Sequence, residues 1–227
     1  EISCSLVGSE MCIRDRFLAL YFICPNGSRT APFVLLFAAV GFIMAVMNGV
    51  PMRLGAVDND GYNALAISKS SEAAEAFWVQ LSIVGQSARG VRLKDMPEEW
   101  FRVPAEESMQ NSIVAVRGVL ACNRLMDEQK FNQADALMAR MLAAESGMAG
   151  IHRGLLVCDR IYIELIGVAR REAIEAMLTK AQAKFMKSMR RYPSVLRTEY
   201  ALALLLEKNA ARAEGIRAGF EKAAKSY

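Results

Sequence analysis

Two short patterns in the first third of the chain combine residue types and spacing that can do chemistry. Asn48 and Pro51 form an Asn-x-x-Pro pattern, and nine residues later the chain reads Asp60-Gly61. An aspartate in this position can be a metal ligand, a proton carrier or a helix cap. An asparagine can hydrogen-bond an extended backbone through both its donor and its acceptor, so Asn48 is suited to hold a peptide strand.

The element that must position Asn48 is a long apolar segment. The twenty residues 31–50 carry no charge, and Asn48 is the one strongly polar side chain among them. As an α-helix they would be about 30 Å long, which matches the hydrocarbon core of a bilayer. The sequence predicts a membrane-spanning helix here, and a buried helix of a soluble protein is the alternative. Because ionisable groups at membrane depth are costly, a carboxylate just beyond this helix is a candidate for function.

Composition limits the class of protein. The chain has 227 residues, a net charge of +4, 53% hydrophobic and 23% charged residues, and a mean hydropathy of +0.17. This charged fraction excludes both an all-membrane protein and a disordered chain. The single histidine, His152, is predicted on a helical surface, and its isolation excludes most catalytic triads and any histidine-rich metal site. Cys24, Cys122 and Cys158 are predicted to be buried thiols, because the cysteines show no disulfide or zinc-finger spacing.

The first sixteen residues are expected to be foreign to the protein. Residues 6–16 read LVGSEMCIRDR, which is identified as the translation of a transposon-type sequencing adapter. We therefore expect the gene to be cut here, with upstream sequence missing, and we extend that expectation to the end at Tyr227. Residues 17–24 are an apolar run of eight, which is interpreted as the end of an earlier span.

The sequence predicts a mostly α fold, with membrane helical segments followed by an α-helical hairpin domain. Residues 17–61 form the membrane segment with the motif loop, and residues 62–104 form an amphipathic helix and a connector. The helix, Tyr62 to Gln86, is expected at an interface or on a protein surface rather than across the membrane. Asp95-Met96-Pro97-Glu98 predicts a helix start, because Asp95 can cap it and proline fits the first turn.

Residues 105–227 are predicted to form a domain of helical hairpins. Two segments, residues 131–137 and 213–220, resemble second helices of tetratricopeptide-type hairpins, and a generic hairpin array is the alternative. Short breaks between the helices favour antiparallel neighbours. Six helices are predicted, at 108–128, 131–145, 150–167, 171–191, 195–208 and 211–226.

The chemical motif resembles the second motif of the site-2 protease family of intramembrane zinc metallopeptidases. In that family Asn-x-x-Pro is followed by a short loop and Leu-Asp-Gly, and here Asn48, Pro51, Asp60 and Gly61 occupy the pattern. Residues 59–65, NDGYNAL, and 92–101, RLKDMPEEWF, look like a bacterial branch of the family with a helical tail. The resemblance covers roughly residues 31–101, with Asn59 in place of the usual leucine and a longer loop.

The resemblance implies a role for each motif residue. Asp60 would be a Zn²⁺ ligand, with Asp58 as a competing candidate, and Asn48 and Pro51 would bind substrate. Asn59 and Gly61 would support the motif.

The family's first motif, His-Glu-x-x-His, is absent from this sequence. A catalytic zinc needs about three protein ligands and a glutamate base, so this chain would supply one ligand and no catalytic residue. The chain as given is therefore expected to be inactive, as the C-terminal part of a parent that hydrolyses peptide bonds in or near the membrane.

The expected partners are membrane lipid, a membrane-protein substrate and a protein bound through the helical tail. A basic helix face is predicted to be solvated or to contact anionic lipid headgroups, and nucleic acid is not expected because no aromatic residues interleave with it. Most Lys and Arg residues follow residue 50, so the tail is expected in the cytoplasm. The cations of that face are Lys180, Lys184, Lys187, Arg190 and Arg191.

Two other functions remain open on the sequence. One is a membrane-anchored helical-repeat adaptor without catalysis, which belongs to a different class of protein. The other is a degenerate family member that keeps the fold without the metal.

Overall fold

The computed structural model of the chain describes Ala19 and residues 30–55, 57–144 and 146–224. Within these residues the protein is mostly helical, with ten α-helices and no strand beyond one isolated bridge between Arg53 and Asp58. The chain divides after Ser70 into two compact units. The adapter-like residues 1–16 and, apart from Ala19, the apolar run 17–24 lie outside the described residues.

The first unit contains one long apolar helix, α1 (Ala31–Gly49), and a short helix, α2 (Asp60–Ser68). Helix α1 is long and apolar enough to cross a membrane, with a mean hydropathy of 2.1, and 6% of its most apolar stretch is buried within the protein. Phe33, Leu36 and Phe42 are more than half exposed. The described residues of the first unit therefore do not enclose α1 in the way that a soluble core encloses a helix.

The single helix predicted from Tyr62 to Gln86 is corrected to two helices. Helix α2 ends at Ser68, and α3 (Ser71–Ser87) begins three residues later in the second unit. The break falls in the sequence Ser68-Lys69-Ser70-Ser71. Serine side chains compete for backbone hydrogen bonds, and the Ser68 hydroxyl donates to the carbonyl of Leu65 at 2.8 Å.

The second unit holds the remaining helices. The prediction for residues 108–167 is confirmed to within a few residues, but the helix predicted over 171–191 is divided at Leu178 and Thr179. The Thr179 hydroxyl caps the second piece by accepting from the amide of Gln182. The helices are α4 (Ser112–Asp127), α5 (Phe131–Ala143), α6 (Gly150–Ile166), α7 (Arg171–Met177), α8 (Lys180–Ser188), α9 (Pro193–Ala201), a π-helical turn Leu202–Leu206, and α10 (Ala210–Ala224).

Apolar side chains join these helices into a continuous series of packed layers. Helices α4, α5 and α6 share one core, and α6 also packs on α7, α8 and α9. A third cluster joins α3 to α4 through the connector between them, which contains the 3-10 turns Leu93–Asp95 and Glu98–Phe101. The fully buried side chains include Val79, Cys122, Met138, Met141, Leu156, Cys158, Ile161, Ile174 and Val195.

Two arginines of α4 hold the connector in place. Arg117 is buried and donates to the carbonyls of Glu99 at 2.7 Å and Trp100 at 3.2 Å. Arg124 donates to the carbonyl of Met96 at 2.8 Å and lies over the ring of Phe101. The helix start predicted at Asp95–Glu98 is corrected to a short 3-10 turn, Glu98–Phe101, which follows Pro97 and is not capped by Asp95, since Asp95 ends the preceding turn. The two arginines satisfy carbonyls that a longer helix would use internally.

Candidate functional site

The motif residues meet in a sharp connection between α1 and α2, which we call the elbow (residues 47–62). Asn59 is its centre. The Asn59 amide nitrogen donates to the carbonyls of Met47 and Val50, each at 2.6 Å. The Asn59 side-chain oxygen, Oδ1, accepts from the backbone amides of Met52 and Tyr62, each at 2.9 Å. Asn59 therefore caps α2 and satisfies the end of α1 at once, using the two donors and two acceptor positions of its side chain.

Gly61 brings the two helices of the elbow into direct backbone contact. A Cβ atom at residue 61 would lie 2.3 Å from the carbonyl oxygen of Gly49 and 3.1 Å from that of Asn48. No side chain fits in that space without moving backbone. The last turn of α1, including Asn48, thus lies against the first turn of α2, while Pro51 follows α1 at an exposed position.

The two candidate carboxylates of the elbow differ in their surroundings. Asp60 is exposed in the first turn of α2, where the positive end of the helix dipole favours an anion. The Asp58 side chain is 6% exposed and accepts from Arg53 at 3.3 Å. The Arg53 guanidinium also lies over the ring of Tyr62, at 5.2 Å. Of the two carboxylates, Asp60 is therefore the one that is accessible from outside the elbow.

The elbow can supply one ligand of a zinc site but not a complete site. Within residues 30–55, 57–144 and 146–224, no three His, Cys, Asp or Glu side chains lie close enough to hold a metal ion. His152 lies half-buried in the first turn of α6. A catalytic zinc site needs about three protein ligands, and these residues do not form one by themselves. No catalytic step can therefore be assigned to them.

The remaining sequence candidates have structural explanations. Cys122 and Cys158 are buried, as predicted, and burial raises the pKa of each thiol to about 12. Neither thiol is therefore suited to nucleophilic chemistry at neutral pH. The basic residues from Lys180 to Arg191 are exposed, which agrees with a solvated face.

An open polar groove of about 560 Å³ lies in the second unit, between the end of α3 and helices α4, α6 and α9. Two ion pairs line it. Arg92 holds Asp127 at 2.5 Å on one side, and Arg197 holds Asp159 at 2.5 Å on the other. The Arg197 guanidinium stacks over the Tyr162 ring at 4.3 Å.

The Asp159–Arg197 pair combines a shifted pKa with an unsatisfied hydrogen-bond donor. Burial raises the pKa of Asp159 to about 6, although Arg197 opposes the shift. The Nε atom of Arg197 is buried without a hydrogen-bond partner. A carboxylate with this pKa and an arginine with an unused donor form a candidate binding position.

The Asp159–Arg197 pair of the groove carries no motif, so sequence reasoning missed it. Asp159 lies in a helical segment among apolar residues, and Arg197 comes 38 positions later. Only the packing of α6 on α9 brings them together. Asn59, in contrast, carried a readable signal, because an asparagine immediately before a helix is a preferred cap.

We compared the chain with known proteins by family, sequence and fold. No family model, no curated protein and no solved structure matches it. The elbow and the groove therefore have to be interpreted from their own geometry.

Proposed function

We propose that this chain is part of a membrane-bound zinc peptidase of the site-2 protease type, in which Asp60 supplies one metal ligand. The observation that carries the proposal is the elbow. It places an exposed carboxylate beside the carboxyl end of an apolar, lipid-length helix, and Asn59 and Gly61 hold that carboxylate at a helix start. An exposed carboxylate at this position is accessible as a metal ligand.

The proposal needs ligands and a general base from a segment outside the described residues. A His-Glu-x-x-His on an apolar helix, encoded upstream at the genomic locus, would supply them. Zinc would then polarise a peptide carbonyl and activate water. The chain's own contribution would be Asp60 as ligand, with Asn48, in the last turn of α1, and Pro51, just after α1, binding an extended substrate strand.

The proposal is tested in the protein expressed from its intact locus. Asp60→Asn is expected to remove zinc from the purified protein and to abolish cleavage of a membrane-protein substrate. Asp58→Asn is the matched control, since the Asp58 carboxylate is already held by Arg53, and it should keep its zinc. Zinc is measured by mass spectrometry and cleavage by gel mobility.

Three results would overturn this assignment. Loss of zinc in the Asp58 variant alone would transfer the ligand role to Asp58. Absence of zinc in the unmodified protein, or an upstream helix without the two histidines, would exclude the peptidase and leave either the adaptor or a family member that has lost its metal.

The groove favours a second candidate function, a membrane-anchored helical adaptor that binds an extended polypeptide. Its support is a pair of residues in an open groove between helices. Burial raises the pKa of Asp159, and the Nε atom of its partner Arg197 has no hydrogen-bond acceptor. A photoreactive residue at Ser194, which lines the groove, should give a discrete crosslinked protein in cells, and one at exposed Lys208 should not. Equal labelling at both positions, or none, would contradict the adaptor. A tetratricopeptide-type hairpin fold for this unit remains part of the same proposal.

A further inference from the structure

Helix α3 presents an apolar stripe (Trp78, Leu81 and Val84) that the described part of the chain leaves largely exposed. These side chains are 58%, 40% and 56% exposed, respectively. They recur every third residue and so lie along one side of the helix. The buried residues of α3 are Ala73, Ala76, Val79 and Ile83, of which Val79 and Ile83 pack in the cluster that joins α3 to the connector and α4.

The stripe is a preorganised surface rather than a set of loose side chains. Trp78 meets Trp100 of the connector edge to face, with ring centroids 5.9 Å apart and an interplanar angle of 86°. Arg117 fixes that part of the connector through the carbonyls of Glu99 and Trp100. The indole of Trp78 is therefore supported from behind while more than half of it is exposed. An exposed large apolar cluster of this kind marks an interaction site.

The chain itself indicates what covers the stripe. Helix α1 is long and apolar enough to cross a bilayer, and the elbow, α2 and only two residues, Lys69 and Ser70, separate it from α3. A helix tethered so closely to a membrane span meets the lipid surface at high effective concentration. Tryptophan is enriched at the membrane–water interface because its ring is apolar and its N–H is polar.

The charges of α3 also favour lipid over an electrostatic partner. Its ionisable side chains are Glu72 and Glu75, and it carries no cation. Attraction to anionic headgroups is therefore absent, and burial of apolar area alone must drive the contact. A neutral, zwitterionic interface fits this chemistry best.

We propose that the Trp78–Leu81–Val84 stripe inserts into the headgroup and upper acyl region of the bilayer that α1 spans, so that α3 is an interfacial helix. The proposal rests on insertion of α1 and is independent of Asp60 and zinc. It gives the helical unit a point of attachment to the membrane in addition to α1.

Trp78 can report its own position in the full-length chain. The sequence has two tryptophans, so Trp100→Phe leaves Trp78 as the sole indole. The variant is reconstituted in phosphatidylcholine liposomes and its folding is checked by circular dichroism. Lipids brominated near the glycerol end of the acyl chain should reduce Trp78 emission by about two-fold or more, and deep bromination should reduce it less. Aqueous iodide should quench it weakly.

A matched pair of substitutions separates the stripe from general hydrophobicity. In the Trp100→Phe background, Leu81→Gln with Val84→Gln should weaken bromolipid quenching and strengthen iodide quenching. Val168→Gln removes an apolar side chain that is 79% exposed, outside the stripe, and should leave both unchanged. Flotation of the liposomes with bound protein reports the insertion of α1 separately.

Each outcome decides the proposal. Quenching by iodide and not by bromolipid, in protein that floats, would place Trp78 in water and overturn it. Protection from both quenchers would mean that protein covers the stripe, either a second copy or a partner, and would also overturn it. Failure to float would refute insertion of α1 and, with it, the basis of the proposal.

Discussion

Asn59 has no hydrogen-bonding capacity left for a ligand, since its side chain makes four hydrogen bonds within the elbow. The site-2 protease motif that this segment resembles has leucine at this position, and leucine could make none of these bonds. The elbow of this chain is therefore held by polar contacts that are its own. The sequence predicted a supporting role for Asn59, but not the four hydrogen bonds through which its side chain joins the end of α1 to the start of α2.

Substituting Asn59 should loosen the elbow selectively. Asn59→Ala removes the cap of α2 and leaves two carbonyls and two amides without their partner, at a cost of about 2–4 kcal/mol. Hydrogen exchange at the Met52 and Tyr62 amides should accelerate by roughly 30-fold or more. Asn59→Asp should not restore protection, because a carboxylate cannot donate to the carbonyls of Met47 and Val50. Asn63→Ala, the control, should change little, and equal effects at both asparagines would contradict the role assigned to Asn59.

The Asp159 carboxyl should give the second unit an unusual pH dependence. Its pKa is raised from 3.8 to about 6 on folding, so the folded state binds more protons than the unfolded state between those values. Stability from this group is therefore fully present below about pH 4 and is lost as the pH rises through 6, by up to about 3 kcal/mol. Urea unfolding of the wild type and of Asp159→Asn, from pH 4 to pH 8, should show the wild type falling relative to the variant. Parallel curves would refute the shifted pKa.

At the scale of elements, helices were predictable where a cap residue bounds a long periodic pattern. Asn111 caps the start of α4, and Gly167 follows the end of α6. Helices were not predictable where a side chain elsewhere in the fold decides the boundary. Thr179 starts a new helix in the middle of a continuous pattern, and Arg117 and Arg124 keep the connector in 3-10 turns. These boundaries depend on tertiary contacts, which local propensity does not contain.

The packing of α1 on α2 makes a matched prediction for two glycines. Gly61→Ala places a methyl group 2.3 Å from the Gly49 carbonyl oxygen, so the helices of the elbow must separate at a cost of about 2 kcal/mol or more. Gly85→Ala, in α3, meets nothing within 4 Å and should instead stabilise by about 0.5–1 kcal/mol through helix propensity. Limited proteolysis of the 50–58 loop should become faster in the first variant and not in the second. Equal resistance of both variants would contradict the close approach at Gly61.

At the scale of the whole molecule, the apolar character of the described chain is concentrated in α1, and the second unit buries its apolar residues in ordinary helical layers. A positive mean hydropathy together with an ordinary charged fraction is thus explained by two units of different character. The sequence predicted this contrast because the length of an uncharged segment can be counted directly along the chain. The groove between α4, α6 and α9 was beyond it, since its residues are distant along the chain.

Both proposals about the membrane depend on insertion of α1 into the bilayer. A substitution near the middle of this helix tests the insertion. Val40 lies near the middle of α1 and is 46% exposed. Val40→Arg should oppose insertion by about 2.5–3.5 kcal/mol, because a cation at the bilayer centre is costly, while Val40→Leu should insert as well as the wild type. Carbonate extraction of membranes should release a large fraction of the arginine variant and little of the other two. In inserted protein, a protease tag after residue 224 should be cleaved only from the cytoplasmic side, as the distribution of Lys and Arg predicts. Retention of the arginine variant in the membrane would mean that α1 is not the anchor, and external cleavage would reverse the topology while leaving the anchor in place.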